Sequence, residues 1–133
     1  MVIIDTTVWV DYLRGARNKE TDYLDREAAR QRFGLTDLIL CEILQGISDE
    51  KSFTRVLHEL RNFELFETGG ADLAIEAARN FRRLGQRGST VRKTIDCLIA
   101  TFCLHYGHSL LHRDRDFDHF EELLGLTVVH PQT

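Results

Sequence analysis

The sequence has little proline, few cysteines and no long apolar run. Its 133 residues contain one proline, Pro131, and three cysteines. The odd number of cysteines, which also lack metal-site spacing, indicates reduced structural thiols rather than a disulfide framework. No apolar run is long enough to span a bilayer, and the first residues do not have the pattern of a secretory signal. We therefore expect a cytoplasmic protein that does not contact a membrane.

The chain also lacks a strong net charge. Its 17 basic and 21 acidic residues give a formal charge of -4, so the net charge does not attract nucleic acid to the protein. This argument against nucleic-acid binding is weaker if several carboxylates bind cations, because bound cations cancel their charge. Lysine occurs only at positions 19, 51 and 93. The other basic residues are arginines, whose planar guanidinium suits phosphate groups.

Short apolar segments alternate with helical patterns along the whole chain. The chain has three consecutive apolar, β-branched residues at positions 2–4, namely Val2, Ile3 and Ile4. This pattern is typical of a central parallel strand that is covered on both faces. The pattern predicts strands over residues 2–4, 33–35, 64–67, 109–112 and 127–129, and helices over residues 6–14, 18–31, 37–45, 49–60, 72–84, 90–105 and 116–124. This alternation predicts one domain over residues 1–133, a three-layer α/β sandwich with a mainly parallel sheet of four or five strands.

Four acidic residues lie where polar turns meet apolar segments. Asp5 follows the first strand and Asp114 follows the fourth, while Glu42 and Asp96 lie on helices that start from the same edge of the sheet. Sites in such sheets form beyond the carboxyl ends of the strands. A buried lone carboxylate is costly unless it is paired, protonated or bound to a cation.

Convergence of these carboxylates would create a site for a hard divalent cation, which prefers oxygen ligands. Two such ions can bind the attacking and leaving oxygens of a displacement at phosphorus. Each residue alone has a simpler explanation. Asp5 could cap a helix, Glu42 could lie on a helix surface, and Asp114 and Asp116 could belong to a solvated turn. Asp96 is the hardest to explain in this way, because apolar residues surround it in the sequence.

Several motifs resemble the PIN-domain family and, more narrowly, the VapC-type toxins of bacterial toxin-antitoxin modules. The resemblance rests on residues 4–9, 42–46, 90–100 and 112–117, in that order and spacing, and extends from Ile3 to about Val129. It implies a Mg²⁺- or Mn²⁺-dependent endoribonuclease that leaves a 5′-phosphate and a 3′-hydroxyl. The expected substrate is tRNA or another structured RNA, whose cleavage inhibits translation and growth.

The resemblance also assigns roles to individual residues. Asp5, Glu42, Asp96 and Asp114 match the catalytic, metal-binding acidic quartet of the family. Asp116 matches a further acidic position, as a ligand or as its neighbour, and Thr6 matches a hydroxyl residue that supports the first aspartate. The family further implies a homodimer and a cognate VapB-type antitoxin, through which alone operator DNA is bound.

Three residues near these motifs have alternative interpretations. His112 stands where many relatives have threonine, and it is either a structural histidine or a group that changes hydrogen bonding beside the site. Arg92 and Arg113 are candidates for contact with RNA phosphate or an antitoxin carboxylate, or they orient a neighbouring carboxylate ligand.

Other classes of protein fit the sequence less well. A phosphoacceptor receiver needs an acidic pair after the first strand and a late lysine, and a haloacid-dehalogenase-like phosphatase needs an aspartate where Thr7 stands. The remaining alternative is a non-catalytic module of the same fold that binds metal and antitoxin. The complete quartet favours the enzyme.

Overall fold

The computed structural model describes residues 1–132, in which four parallel strands form one sheet flanked by helices. The strands are β1 (Val2–Ile4), β2 (Phe33–Thr36), β3 (Glu64–Phe66) and β4 (Ser109–Leu111). The helices are α1 (Thr6–Leu13), α2 (Lys19–Glu27), α3 (Asp37–Gln45), α4 (Glu50–Leu60), α5 (Gly70–Gln86), α6 (Thr94–Tyr106) and α7 (Asp118–Leu124). A short 3₁₀ turn, Arg115–Phe117, precedes α7. The predicted α/β class and parallel sheet are confirmed.

The four strands lie in the order β3-β2-β1-β4, so the direction in which successive strands are added to the sheet reverses between β1 and β4. The chain first moves outward from β1 through β2 to β3, and β4 then pairs on the other side of β1. The backbone N–H of Asp5 donates to the carbonyl of Leu111 at 3.0 Å, which extends this pairing beyond β1. The carboxyl ends of β1 and β4 therefore border one crevice, where α/β proteins place their sites.

The core explains why β1 carries no polar residue. Val2, Ile3 and Ile4 are all buried, because helices cover both faces of the central strand. Trp9 is also fully buried, with its ring edge-on to Phe63 at a centroid distance of 4.8 Å. Trp9 is thus a core residue. None of the helices in residues 1–132 has the length and apolar character that a membrane span requires.

Some predicted boundaries are wrong. The predicted helix over residues 72–84 starts two residues earlier and is not capped by Asp72. Gly69 and Gly70, both with positive φ, form its amino-terminal end. The predicted helix from Thr90 starts only at Thr94, because residues 90–93 form an irregular segment in which Val91 is buried.

Two polar or terminal segments form less regular structure than their sequence pattern indicates. The second helix ends at Glu27 rather than near Gln31, and the backbone of Gln31 closes a turn onto the Glu27 carbonyl at 3.0 Å. The predicted strand over residues 127–129 is reduced to an isolated bridge between Leu110 and Val128. The sheet therefore has four strands within residues 1–132. Among the cysteines, Cys97 and Cys103 are buried as expected, whereas Cys41 is exposed.

Candidate active site

Asp5 links the end of β1 to the start of α1. Its side chain caps the helix, since Oδ2 accepts hydrogen bonds from the backbone N–H of Thr7 at 3.1 Å and from the Thr7 hydroxyl at 2.7 Å. The simple interpretation of Asp5 as a helix cap is therefore geometrically correct. However, only 3% of Asp5 is exposed, which is unusual for a cap alone. Two hydrogen bonds fix this carboxylate at the carboxyl edge of the sheet.

Glu42 lies on α3 and is held by α1. The hydroxyl of Thr6 donates to Glu42 Oε1 at 2.6 Å, a hydrogen bond between residues 36 positions apart. Thr6 was expected to support the first aspartate, and this expectation requires correction. Successive hydroxyls at the start of a helix point in different directions, so Thr6 reaches α3 whereas Thr7 reaches Asp5.

Asp96 lies in the first turn of α6 and is 4% exposed. Its Oδ2 atom is fully buried and has no hydrogen-bond partner within residues 1–132. An unpaired buried carboxylate oxygen is costly, and most buried polar atoms in proteins have a partner. Such an atom calls for a proton or a cation as its partner.

Asp114 and Asp116 follow β4 in the loop that leads to α7. Asp114 Oδ1 accepts from the backbone N–H of Asp116 at 2.9 Å, which makes it the cap of the 3₁₀ turn. Oxygen atoms of Asp96, Asp114 and Asp116 all lie within 4.8 Å of one another. Arg92 pairs with Asp116 through two contacts, at 3.3 and 3.2 Å. For Arg92, this ion pair fits the alternative in which it orients a neighbouring carboxylate, while its exposed side chain leaves contact with an external anion open.

The pKa values of the buried carboxyls reflect their convergence. Burial, opposed by the Thr7 hydrogen bonds and reinforced by the charge of Glu42, raises the pKa of Asp5 to about 6. Burial and then the charges of Asp5 and Asp114 raise the pKa of Asp96 to about 7. The negative charges of Asp5, Asp114 and Glu42 thus all act on Asp96, although the carboxylate oxygens within 4.8 Å of one another are those of Asp96, Asp114 and Asp116 and do not include Asp5 or Glu42. A divalent cation would relieve both the repulsion and the unpaired oxygen, and an all-oxygen ligand set suits Mg²⁺ or Mn²⁺.

His112 supports the loop that carries Asp114. Its Nδ1 accepts from the backbone N–H of Asp114 at 3.0 Å, and its ring packs on Phe117 at a centroid distance of 5.0 Å. Burial lowers the pKa of His112 below its usual range, so the neutral ring is favoured. This geometry supports the interpretation of His112 as a structural residue.

Arg113 does not contact any of the predicted ligands through its side chain. Its guanidinium pairs with Asp11 and with Glu20, the latter at 3.3 Å, and its backbone N–H donates to the Thr7 hydroxyl at 3.0 Å. From the sequence, no role at the site was predicted for Thr7, Asp11 or Glu20. Asp11 and Glu20 have the pattern of ordinary polar helix residues, and no signal in one sequence distinguishes them.

The elevated pKa of Asp96 predicts an unusual stability profile for the metal-free protein. The unfolded carboxyl has a pKa near 4, so between about pH 4 and pH 7 the folded chain binds more protons and loses stability as pH rises. We expect Asp96→Asn to raise the free energy of unfolding at pH 8 by about 1 kcal/mol, or roughly 3–6 °C in Tm. At pH 4 this difference should shrink.

Thermal unfolding in chelator at both pH values measures this effect, with Asp72→Asn as the control. Asp72 and Asp96 both lie in the first turn of a helix, α5 and α6, respectively, but Asp72 is exposed whereas Asp96 is buried. A ligand stabilises only the state that binds it, so Mg²⁺ should stabilise the wild type more than Asp96→Asn. A lower Tm for metal-free Asp96→Asn at pH 8 would show that Asp96 is paired in a way that this structure lacks.

Comparison with known proteins identifies the family of the chain. The sequence model of the PIN domain matches residues 2–123. Ribonuclease VapC11 of Mycobacterium tuberculosis is 32% identical over 130 residues, which cover 95% of this chain and 96% of that protein.

Solved structures show the same fold at lower identity. FitAcB from Neisseria gonorrhoeae superposes with a TM-score of 0.76 at 20% identity, covering 98% of each chain. VapBC2 from Rickettsia felis, bound to a DNA fragment from its promoter, gives 0.73 at 16% identity, covering 97% of this chain and 98% of that one. The chain belongs to the PIN-domain family and, within it, to the VapC-type ribonucleases of bacterial toxin-antitoxin systems.

Proposed function

We propose that this chain is the toxin of a VapBC-type module and acts as a Mg²⁺- or Mn²⁺-dependent endoribonuclease. It hydrolyses a phosphodiester bond in tRNA or another structured RNA in the cytoplasm, and this inhibits translation and growth. The observation that supports the proposal most strongly is the buried, unpartnered Oδ2 of Asp96, in a residue whose carboxylate lies against those of Asp114 and Asp116.

The proposed ligands are Asp5, Glu42, Asp96 and Asp114, with Asp116 as a further ligand or a neighbour. The divalent cation, when bound, would supply positive charge at the attacked phosphate and lower the pKa of a water molecule. The protein itself holds the carboxylates in place. Thr7 fixes Asp5 and Thr6 fixes Glu42, each through a short hydroxyl contact. Loss of a residue that orients a metal ligand typically costs about 10- to 100-fold in metal affinity or activity.

Arg92 is the proposed contact for RNA phosphate or an antitoxin carboxylate. Its side chain is 77% exposed although its guanidinium pairs with Asp116, so it stands at the rim of the acidic cluster. An anion that approaches the cluster could share this guanidinium, whose five donors allow more than one partner. RNA specificity is proposed to reside in surface arginines and in the helices over residues 18–62, where shape and unpaired bases would be read.

The proposed partners follow from the family. A cognate VapB-type antitoxin would neutralise the toxin at the acidic cluster, a homodimer would be the toxin assembly, and operator DNA would be bound only through the antitoxin. The promoter DNA bound to VapBC2 of Rickettsia felis supports the expectation that the toxin-antitoxin complex binds DNA. Displacement of metal by the antitoxin is the expected route of inhibition.

Incubation of purified protein with cellular RNA tests the proposal against the non-catalytic alternative. With Mg²⁺ or Mn²⁺ we expect discrete fragments whose downstream ends carry a 5′-phosphate, and added antitoxin should suppress them while it lowers Mn²⁺ occupancy. Binding of metal and antitoxin without any RNA product would favour the non-catalytic module. Products with a 2′,3′-cyclic phosphate would contradict the proposed chemistry.

A further inference from the structure

Arg113 lies at the centre of a charged cluster formed with residues of α1 and α2. Its guanidinium bridges Asp11 on α1 and Glu20 in the first turn of α2. Asp11 also accepts a hydrogen bond at 3.1 Å from the side-chain amide of Asn18, which caps α2. One cation therefore joins two helices to the loop after β4.

The carboxylates in this cluster reduce the capacity of Arg113 to bind an external anion. Two carboxylates surround one guanidinium, so their combined charge already exceeds that of Arg113. Glu20 is only 6% exposed, and its Oε2 has no partner within residues 1–132, so the cation that faces Oε1 is needed to offset its burial. Arg92 differs, because its side chain is 77% exposed whereas that of Arg113 is 42% exposed.

The backbone of Arg113 connects this cluster to the acidic site. Its N–H donates to the Thr7 hydroxyl, and since this hydroxyl thereby accepts a hydrogen bond, its own proton is free to go to Asp5. The next residue along the chain is Asp114. A shift of Arg113 would therefore move one proposed ligand directly and loosen the support of another.

We propose that Arg113 is a positioning residue, clamped by Asp11 and Glu20, which fixes Asp114 and the Thr7–Asp5 hydrogen bond in the geometry that binds metal. This inference rests on the proposed function, because it assigns a role at the same site. It replaces the role of Arg113 as a phosphate contact. It also gives α2, which carries no proposed ligand, a function in the site.

The decisive variant is Glu20→Gln, since a buried acidic residue of α2 has no means of attracting RNA phosphate. If the clamp positions the site, Glu20→Gln and Arg113→Gln should each lower kcat and Mn²⁺ affinity by about 10–100-fold, as is typical when residues that orient metal ligands are lost. KM and the RNA affinity measured without divalent metal should change less than about threefold. The kcat and Mn²⁺ affinity of the double variant should be no lower than those of the poorer single variant, because both substitutions remove the same Arg113–Glu20 interaction.

Glu122→Gln is the matched control for Glu20→Gln. Glu122 lies on α7, is exposed and forms no ion pair within residues 1–132, so its substitution changes the net charge as Glu20→Gln does without touching the clamp. Its kcat and Mn²⁺ affinity should stay within about twofold of the wild type. Tm values of all variants, measured in chelator, show whether each chain is folded at the assay temperature.

Two results would overturn the inference. Glu20→Gln could leave both kcat and Mn²⁺ affinity unchanged, or Arg113→Gln could selectively raise KM and reduce the salt dependence of RNA binding by about one unit, as for a phosphate contact. Mn²⁺ affinity does not depend on cleavage. An inactive wild type would therefore refute the proposed function while the clamp remained testable, and Glu20→Gln alone decides it if Arg113→Gln does not fold.

Discussion

Asp96→Asn is expected to lower the rate of RNA cleavage by at least about 1,000-fold and to abolish growth inhibition. The amide keeps the size of the side chain but removes the negative charge that would hold the cation, and loss of one electrostatic catalytic contact commonly costs about 100- to 1,000-fold. The loss of a metal ligand in a site with few carboxylates should lie at the upper end of this range of rate losses. Asp5→Asn should have a comparable effect, since Asp5 is equally buried and faces the same cluster.

Cleavage of end-labelled RNA under single-turnover conditions measures these rates, and growth after induced expression gives the cellular counterpart. Asp72→Asn is again the control, and it should retain the wild-type rate. The metal-free Asp96→Asn protein is expected to be folded and more stable at pH 8, so its inactivity would not come from unfolding. Unimpaired cleavage by Asp5→Asn or Asp96→Asn would refute the assigned mechanism.

Removal of divalent metal is the second change with a large expected effect. In chelator the wild type should lose at least about 1,000-fold in cleavage rate, and excess Mg²⁺ or Mn²⁺ should restore it. The core consists of apolar side chains from the strands and the helices around them, so we expect the fold to persist without metal and the far-ultraviolet circular dichroism to stay unchanged on chelation. Cleavage that continues at the full rate in chelator would exclude a metal-dependent reaction and with it the role assigned to the quartet.

Much of the fold could be predicted because local and global signals agree. The apolar run of β1 followed by Asp5 is interpretable from sequence alone, since a strand buried on both faces has no polar alternation. The segment over residues 127–129 has a similar composition but forms a single bridge. Its pairing depends on the neighbour that it meets at the edge of the sheet, which composition does not reveal.

The site shows the same division between local and long-range information. The quartet residues were predicted from their joint placement at one edge of the sheet and from the resemblance to the PIN-domain family, and Asp96 above all is surrounded by apolar neighbours in the sequence. The residues that hold these carboxylates in place could not be predicted, because their contacts join positions that are distant in the sequence. The Thr6–Glu42 contact spans 36 residues and the Arg113–Thr7 contact spans 106. Nothing in the two adjacent threonines indicates which one reaches which carboxylate.

Titration of Mn²⁺ into metal-free protein, followed by calorimetry, tests the central claim most directly because it needs neither RNA nor antitoxin. The account predicts saturable binding by the wild type and by Asp72→Asn, with affinity lowered by at least about 10-fold in Asp96→Asn. Equal Mn²⁺ affinity for the wild type and Asp96→Asn would contradict the claim that the buried carboxylates form the metal site.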